Sequence, residues 1–289
     1  MGLWIRAAVV VGGCLAVGLG LAWTAGAGAV RLAGWPATVW VATWAFALNA
    51  LAWIPASLRK TERFFDAVGS LTFVSSVVLA LALGTADARA LLLAGAVVLW
   101  ALRLGLFLVR RILRDGHDGR FDTLKTHPLR FAIPWAIQAL WATVTALPVI
   151  VVATAAVPQP LGPLDALGLT LWVLGLSIEV IADHQKTRFR ADPRNDGRFI
   201  TTGLWSWSRH PNYFGEILLW TGLCLAASAS LSGGQWIAWA SPALVTLLLT
   251  RVSGIPMLEE RAEARWGDDP DYQAYVARTS VLVPRPPAG

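Results

Sequence analysis

The sequence contains 289 residues, of which 56% are hydrophobic and only 15% are charged, and its mean hydropathy is +0.56. Soluble domains carry about a quarter charged residues, so this composition argues against a soluble protein and indicates one that sits in lipid. The net charge is +6, but the basic residues lie between long apolar runs, which is the pattern of membrane topology and not of nucleic-acid binding.

Long apolar runs occur at eight places, and most are near the ~20 residues that a helix needs to cross a bilayer. Only helices or closed barrels satisfy the backbone polar groups in lipid, and unbroken runs such as 91–99 lack the alternation of a barrel strand. We therefore predict an all-α integral membrane protein, a bundle of about eight transmembrane helices. The predicted spans are 3–23, 37–57, 66–84, 90–109, 130–157, 163–182, 212–231 and 235–255.

The first apolar run has a second interpretation. Residues 1–23 combine a basic start with an apolar middle, and small residues follow them, which is also the pattern of a cleaved signal peptide. Cleavage would leave seven spans with the same sidedness.

Lys and Arg residues concentrate in alternate loops. The loops 58–65, 110–130 and 183–211, together with the C-terminal tail, hold most of the 24 basic residues, whereas the intervening loops contain only Arg31 and Arg89. Because Lys and Arg favour the cytoplasmic side, this distribution predicts that both termini are cytoplasmic. The composition is rich in Ala, Arg and Trp but poor in Lys, which suggests a multi-pass protein of a bacterial inner (cytoplasmic) membrane.

Arginine residues are dense where the fourth predicted helix ends. The stretch 110–122 holds Arg110, Arg111, Arg114 and Arg120 beside glycines and aspartates. One interpretation is topology signalling followed by a turn. The other is a phosphate pocket, because the guanidinium fork matches phosphate oxygens. The sequence leaves both open.

Ionisable residues continue the sixth predicted helix beyond its apolar part. Glu179, Asp183, Lys186 and Arg190 are spaced so that all four share one face of a helix. They form either a ladder of ion pairs that holds the helix end or a functional site. The second interpretation arises because an ionisable residue such as Glu179 is costly at the edge of lipid unless it is paired.

The seventh predicted helix opens with several polar residues. Pro211 suits a first helical position, which places Asn212 and Glu216 one turn apart on the same face. A helix N-terminus attracts anions through its free N–H groups and its dipole, and Arg209 and His210 add donors beside it. We interpret this segment as a binding site. The alternative is a local helix cap with an anchor for lipid headgroups.

Several common kinds of site are excluded. Cys14 and Cys224 lie in apolar runs with no Cys or His nearby, so we expect neither a disulfide framework nor a bound metal. No Gly-x-Gly-x-x-Gly follows a strand pattern, and the commonest metalloprotease, serine-hydrolase and ATPase motifs are missing from the sequence. Any nucleotide would therefore bind among helix ends and loops.

Two of these polar segments carry a family resemblance. They read Ala-Asp-His-Gln-Lys at 182–186 and Arg-His-Pro-Asn-Tyr-Phe-Gly-Glu at 209–216. From about Glu62 to the C-terminus the chain resembles the steroid 5α-reductase-like membrane reductases. The Arg-His-Pro-Asn-Tyr part is also similar to sterol C14/C7 reductases and to membrane methyltransferases of the isoprenylcysteine and phospholipid type.

The resemblance implies that NADPH binds in a polar cavity on the cytoplasmic side of a seven-helix core. We assign that core to residues 31–289 and an extra N-terminal helix to residues 1–30. The cofactor contacts of the family include a Gly-Arg pair, an Asp and Arg seven residues apart, and an Asn and Glu four apart, each with a match here. We add to these matched pairs the polar residues that lie near them in the sequence. The predicted cofactor-binding residues are then Arg110, Arg114, Gly119, Arg120, Asp183, Lys186, Arg190, Arg209, His210, Asn212, Tyr213 and Glu216.

For catalysis the resemblance points to Glu62, which matches a carboxylate that polarises the substrate carbonyl together with a Tyr. The positions where that Tyr is expected hold Leu106 and Phe107, and Asp66 is a second ionisable candidate. The implied reaction adds hydride to the β-carbon of an enone and a proton to its α-carbon.

We therefore predict an NADPH-dependent oxidoreductase of lipid metabolism that reduces a polarised C=C bond in a hydrophobic substrate from the bilayer. Steroid, sterol, fatty enone and polyprenol substrates all remain open, as does the oligomeric state. One alternative is an S-adenosylmethionine-dependent membrane methyltransferase. That cofactor has no phosphate, so it does not account for so many arginines. Another is a non-enzymatic transporter or scaffold, against which the lack of an internal repeat argues.

Overall fold

The computed structural model describes residues 2–286, and nearly all of its regular structure is helical. This confirms the predicted all-helical class. A short antiparallel hairpin, β1 (Arg31–Leu32) and β2 (Trp35–Pro36), follows the first helix. The helices are α1 (Leu3–Ala25), α2 (Ala37–Arg59), α3 (Phe65–Leu83), α4 (Ala88–Asp115), α5 (Pro128–Thr145), α6 (Leu147–Ala153), α7 (Pro163–Ala191), α8 (Pro211–Ser228), α9 (Ala240–Leu247), α10 (Ile255–Trp266) and α11 (Pro270–Arg278).

Six helical segments within residues 2–286 are long and apolar enough to cross a membrane, and the bent pair of α5 and α6 makes seven if it is one span. The protein is therefore a multi-pass membrane protein. The predicted number of eight is not confirmed. The difference lies in α8, which forms at the predicted place but is not among these segments, because Asn212 and Glu216 in its first turns lower its hydropathy.

The break between α5 and α6 has a local cause. Pro148 lies at the start of α6 and has no N–H with which to continue the hydrogen bonding of α5, and the two helices are bent by 56°. The break frees the carbonyl of Thr145, which accepts a buried hydrogen bond of 2.6 Å from the hydroxyl of Ser241. The bend is therefore compatible with an apolar environment, where an unsatisfied carbonyl is costly.

The chain folds as two units. The first contains the residues up to Asp165 together with Ala226–Ser241, and the second contains Ala166–Leu225 and the chain from Pro242 onward. Within the first unit, α3 packs on α2 and α4, while α5 packs on α1 and α2. The predicted division into residues 1–30 and 31–289 stays a prediction, and Met1 and 287–289 lie outside the described residues.

The first unit contains a buried ion pair near the start of α4. The Arg89 side chain is 1% exposed and donates from Nε and Nη2 to the two carboxylate oxygens of Asp165, at 2.6 and 2.8 Å. The carbonyl of Pro160 accepts a further hydrogen bond of 2.7 Å from Nη2. A buried charge is tolerated only with such bidentate and complete pairing, so this contact fixes the start of α4 to the start of α7.

In the second unit, α7 and α8 touch through glycines. A Cβ atom added to Gly215 would lie 2.5 Å from the carbonyl oxygen of Gly175 and 2.7 Å from the backbone nitrogen of Glu179. Only a residue without a side chain permits this approach, which is a common way for helices to pack in lipid. Further along the same pair of helices, Asn212 Nδ2 donates to Asp183 Oδ1 at 3.3 Å.

We expect Gly215→Ala to lower the free energy of unfolding by about 1–3 kcal/mol, because the added methyl group must push two backbones apart. The matched control is Gly95→Ala, at a helical position where a Cβ atom meets nothing within 4 Å. Thermal unfolding in detergent micelles would measure both variants. Equal stability of the Gly215→Ala and Gly95→Ala variants would contradict the close packing of α7 against α8.

Candidate functional site

A cavity of about 320 Å³ lies within the second unit, and we call it the cationic cavity. Its walls come from the last turns of α7, the loop that follows them, α10 and α11. Among the lining residues, six are cationic and a single one, Glu259, carries a carboxylate. The cationic residues are Lys186, Arg190, Arg198, Arg209, Arg261 and Arg265.

Aromatic rings form the apolar part of the cationic cavity. Phe199 packs edge-on against Trp266 and Tyr272, with ring centroids 5.7 and 5.2 Å apart. The ammonium group of Lys186 lies 4.4 Å from the ring centroid of Trp205, a cation–π contact. The cavity therefore combines positive charge with flat apolar surfaces, which suits a ligand that has both an anionic group and a planar ring.

The last turns of α7 hold the loop that carries Arg209. Gly203 has a φ of +64°, a conformation that favours glycine, and the side chain of Gln185 occupies the space beside it. The Gln185 carbonyl accepts a hydrogen bond of 3.0 Å from the Leu204 N–H. The indole of Trp205 donates to the Ala182 carbonyl at 3.0 Å, so backbone and side chains together fix the start of the loop.

The C-terminal tail fixes the other end of this loop. The Arg209 N–H donates to the Ser280 carbonyl, and the Ser208 hydroxyl donates to the Leu282 carbonyl, each at 2.8 Å. The Tyr275 hydroxyl donates to the carbonyl of Trp205 at 2.8 Å. Burial raises the pKa of Tyr275, so this phenol stays protonated and keeps donating at physiological pH.

A carboxylate at the cavity wall contacts two donors. Glu259 accepts from Arg209 Nη1 at 2.5 Å and from His210 Nε2 at 2.7 Å. The His210 ring stacks on Tyr213, with centroids 5.6 Å apart and planes 10° from parallel. The buried Nε of Arg209 has no hydrogen-bond partner within residues 2–286. The guanidinium therefore retains one donor without an acceptor among the described residues.

The structure divides the predicted cofactor residues between the two units. Lys186, Arg190, Arg209 and His210 line the cationic cavity. The other second-unit residues, which lie on α7 and α8, are Asp183, Asn212, Tyr213 and Glu216. Arg110, Arg114, Gly119, Arg120, Glu62 and Asp66 all belong to the first unit. The binding and catalytic roles of all these residues stay predictions.

The catalytic candidate Glu62 takes part in an ion pair. Its side chain is 3% exposed and accepts from Lys125 Nζ at 2.8 Å and from the Asp118 N–H at 3.0 Å. Burial by itself would raise the pKa of Glu62, but these hydrogen bonds outweigh burial and lower the pKa below its usual value of 4.5. Glu62 is thus ionised at neutral pH and ties the loop after α4 to the loop after α2.

The arginines around this loop are paired as well. Arg111 contacts Asp66 at 3.2 Å and Asp118 at 3.6 Å, and Arg120 contacts Asp118 at 2.6 Å. Arg114 is exposed and pairs with its neighbour Asp115 at 2.7 Å. In the first unit, positive charges are therefore matched by nearby carboxylates, in contrast to the excess in the cationic cavity.

Sequence reasoning missed several cavity residues, above all those on α10. Arg261 and Arg265 were attributed to topology, although their four-residue spacing places them on one helical face with Leu258 and Ala262, which also line the cavity. That periodicity was the available signal. Arg198, Phe199 and the contact of Glu259 with Arg209 had no local signal, because they depend on how the loop folds back.

A family model described as a protein of unknown function (DUF1295) matches residues 52–279. The chain belongs to this DUF1295 family. No solved structure matches the chain.

Three curated proteins are similar to this DUF1295 chain. It is 30% identical over 131 residues to the probable O-methyltransferase ustE of Ustilaginoidea virens, covering 43% of this chain and 44% of that protein. It is 33% identical over 79 residues to 3-oxo-5-alpha-steroid 4-dehydrogenase 1 of Mus musculus, covering 27% and 31%. It is 26% identical over 228 residues to the uncharacterized protein C594.04c of Schizosaccharomyces pombe, covering 69% and 64%. The chain thus spans less than two thirds of each relative.

These relatives place the DUF1295 protein near both enzyme classes that the sequence suggested. The chain is related to a steroid reductase and to an O-methyltransferase. Within residues 2–286, no group of three or more His, Cys, Asp or Glu side chains is placed to hold a metal ion. Both cysteines are free and buried.

The pKa of Glu62 leads to a prediction about acid. Because its pKa is lowered in the folded protein, Glu62 contributes stability that is complete above pH 4.5 and is lost as the pH falls through the folded-state value. We expect amide hydrogen exchange at 116–127 to accelerate below pH 4.5, after correction for the intrinsic pH dependence of exchange. Glu62→Gln should show faster exchange already at neutral pH, because the variant loses about 1–3 kcal/mol of local stability.

The matched control is Glu260→Gln, which removes an exposed carboxylate from the second unit. It should leave exchange at 116–127 unchanged at every pH. An acid response in Glu62→Gln as large as that of the unmodified protein would show that other carboxylates, such as Asp118, hold the loop.

Proposed function

We propose that this DUF1295 protein is an NADPH-dependent reductase of a polarised C=C bond in a lipid-soluble substrate. The cationic cavity holds the phosphate-bearing part of the cofactor in this proposal. The observation that carries it is the charge of the cavity, in which six cationic side chains and one carboxylate surround about 320 Å³. Such an excess of positive charge is favourable next to phosphates, which carry several negative charges in a small volume.

The residues of the cavity fit part of a dinucleotide. Arginine forks bind phosphate oxygens in pairs, and the buried Nε of Arg209, which has no acceptor among the described residues, would find one in a ligand oxygen. The half-buried ring of Phe199 offers a flat surface to a base. A volume of about 320 Å³ is at the lower end for small-molecule sites, so the cavity suits one nucleotide half and not the whole cofactor.

NADPH, when bound, supplies the hydride for the reaction. The protein has to supply a proton to the α-carbon and an electrostatic partner for the developing enolate. In this proposal both roles fall to the Lys125 ammonium, which the ionised Glu62 carboxylate holds in place. Because the pKa of Glu62 is lowered, the proton of this pair resides on the Lys125 ammonium, which lies 2.8 Å from the carboxylate. Lys125 therefore takes the role of the family's Tyr, whose expected positions hold Leu106 and Phe107 in this chain.

A methyltransferase remains the second candidate, because the chain is 30% identical to the probable O-methyltransferase ustE over 131 residues. The charge of the cavity argues against it. S-adenosylmethionine carries a positive sulfonium and no phosphate, so it would be repelled by the surplus of arginine around the site. The single lining carboxylate, Glu259, is already in contact with Arg209 and His210.

We expect the purified protein to bind NADPH more tightly than NADH and not to bind S-adenosylmethionine. Arg190→Ala and Arg198→Ala should each weaken NADPH binding about 10- to 100-fold, since each removes a charge-assisted hydrogen bond. Arg194→Ala is the matched control. It lies between the two in sequence, its side chain is 89% exposed, it pairs with Asp192, and it does not line the cavity.

Isothermal titration and ligand-dependent thermal shift in detergent would measure these affinities, since saturating ligand raises the unfolding temperature of a binder. Equal losses in all three Arg variants would mean a non-specific charge effect. Binding of S-adenosylmethionine with no binding of NADPH would replace the reductase by a methyltransferase.

Turnover is tested with a panel of lipid-soluble enones, including steroid, polyprenyl and fatty members, in mixed micelles. We expect NADPH oxidation to match the appearance of a saturated product in mass spectrometry. Lys125→Gln should lower kcat by about 100-fold, as for the loss of a proton donor, and leave the Kd for NADPH within about twofold.

The control is Lys60→Gln, which changes an exposed lysine of the first unit that does not contact Glu62. Unchanged kcat in Lys125→Gln would remove this residue from the mechanism. NADPH binding without reduction of any panel member would count against the proposed reaction.

A further inference from the structure

The donors that a phosphate would use in the cationic cavity are already in contact with a protein carboxylate. Glu259 accepts from Arg209 Nη1 at 2.5 Å and from His210 Nε2 at 2.7 Å. The His210 ring is buried, and the Arg209 side chain is only 13% exposed. These two donors belong to the loop that the C-terminal tail and α7 hold in place, so they cannot turn away to meet a ligand elsewhere.

Charge makes this contact unusual. Glu259 is the single carboxylate among the lining residues that the structure describes, whereas six lining residues are cationic. A carboxylate presents two oxygens and one negative charge, while a phosphate monoester or a pyrophosphate presents more oxygens and more charge. The same donors would therefore favour the phosphate when both compete, and the carboxylate when the ligand is neutral or carries one charge.

Glu259 lies on α10, which is separated from α9 by a π-helical turn, Leu248–Val252, and by the two residues that follow it. Regular α-helical hydrogen bonding is interrupted there, and such interruptions are frequent at functional positions. The side chain of Glu259 is 30% exposed, so its carboxylate can turn from Arg209 into solvent while Arg261 and Arg265 of the same helix stay at the cavity wall.

We propose that Glu259 is an internal competitor for phosphate and is the residue that sets the selectivity of the cavity for ligands of multiple negative charge. This rests on the proposed function only in taking the ligand to bear phosphate. Binding exchanges one acceptor for another: the phosphate oxygens take the Arg209 and His210 donors, and the Glu259 carboxylate turns into solvent by rotation of its side chain. No covalent bond changes.

The test compares Glu259→Gln with Glu260→Gln by titration with inorganic pyrophosphate, 2′,5′-ADP and acetate. Glu259→Gln should bind the two phosphate compounds about tenfold more tightly than the unmodified protein. It should also gain affinity for acetate, since the selectivity against single charges is lost. Glu260→Gln removes the same charge from the adjacent, exposed position outside the cavity lining, so it should change each affinity by less than about twofold.

Amide hydrogen exchange of the unmodified protein gives a second measurement that needs no variant to fold. Pyrophosphate should slow exchange at 203–210, because the Arg209 and His210 donors then hold the ligand. Unchanged exchange at 203–210, or weaker phosphate binding by Glu259→Gln, would overturn the proposal.

The outcomes also separate this inference from the proposed function. NADPH binding that is the same in Glu259→Gln and in the unmodified protein would overturn the competitor role and leave the reductase standing. Tighter pyrophosphate binding by Glu259→Gln, in a protein that does not bind NADPH, would support the competitor role and overturn the choice of cofactor.

Discussion

The structure depends on one constraint, which is that lipid offers no hydrogen-bond partner to a polar group. The backbone therefore forms helices, and where a helix breaks, as at Pro148, a side chain such as Ser241 takes the freed carbonyl. The same constraint governs charges. Arg89 is buried only because Asp165 and a backbone carbonyl surround it, and the other ionisable residues gather where helices end.

These gathered charges are arranged differently in the two units. Around the loop after α4, Glu62, Asp66 and Asp118 each neutralise a cation, so the cluster stabilises a connection. In the cationic cavity, the lining residues include six cationic side chains and one carboxylate, which favours a ligand that brings negative charge. This difference is why we propose that phosphate is recognised at the cationic cavity.

Similarity to both a steroid reductase and an O-methyltransferase would leave the chemistry open if sequence were the only guide. In our proposal the charge of the cavity favours the reductase, because a phosphate-bearing cofactor and a sulfonium cofactor carry opposite charge. Glu259 matters to this argument. In contact with Arg209 and His210, it does not offer a negative charge to a cationic ligand, and a multiply charged anion competes for its donors.

The sequence by itself determined the helical class and the multi-pass membrane placement, because both follow from the length and composition of apolar runs. It also pointed to Lys186, Arg190, Arg209 and His210, which line the cationic cavity and whose cofactor role stays a prediction. The predicted number of eight spans is not confirmed, because α8, with polar residues in its first turns, is not among the segments apolar enough to count. Only the tertiary structure revealed the contact of Glu259 with Arg209, the pairing of Glu62 with Lys125 and the lining role of Arg198. Such contacts join residues up to 63 positions apart, and a local pattern carries no information about which distant donor meets which carboxylate.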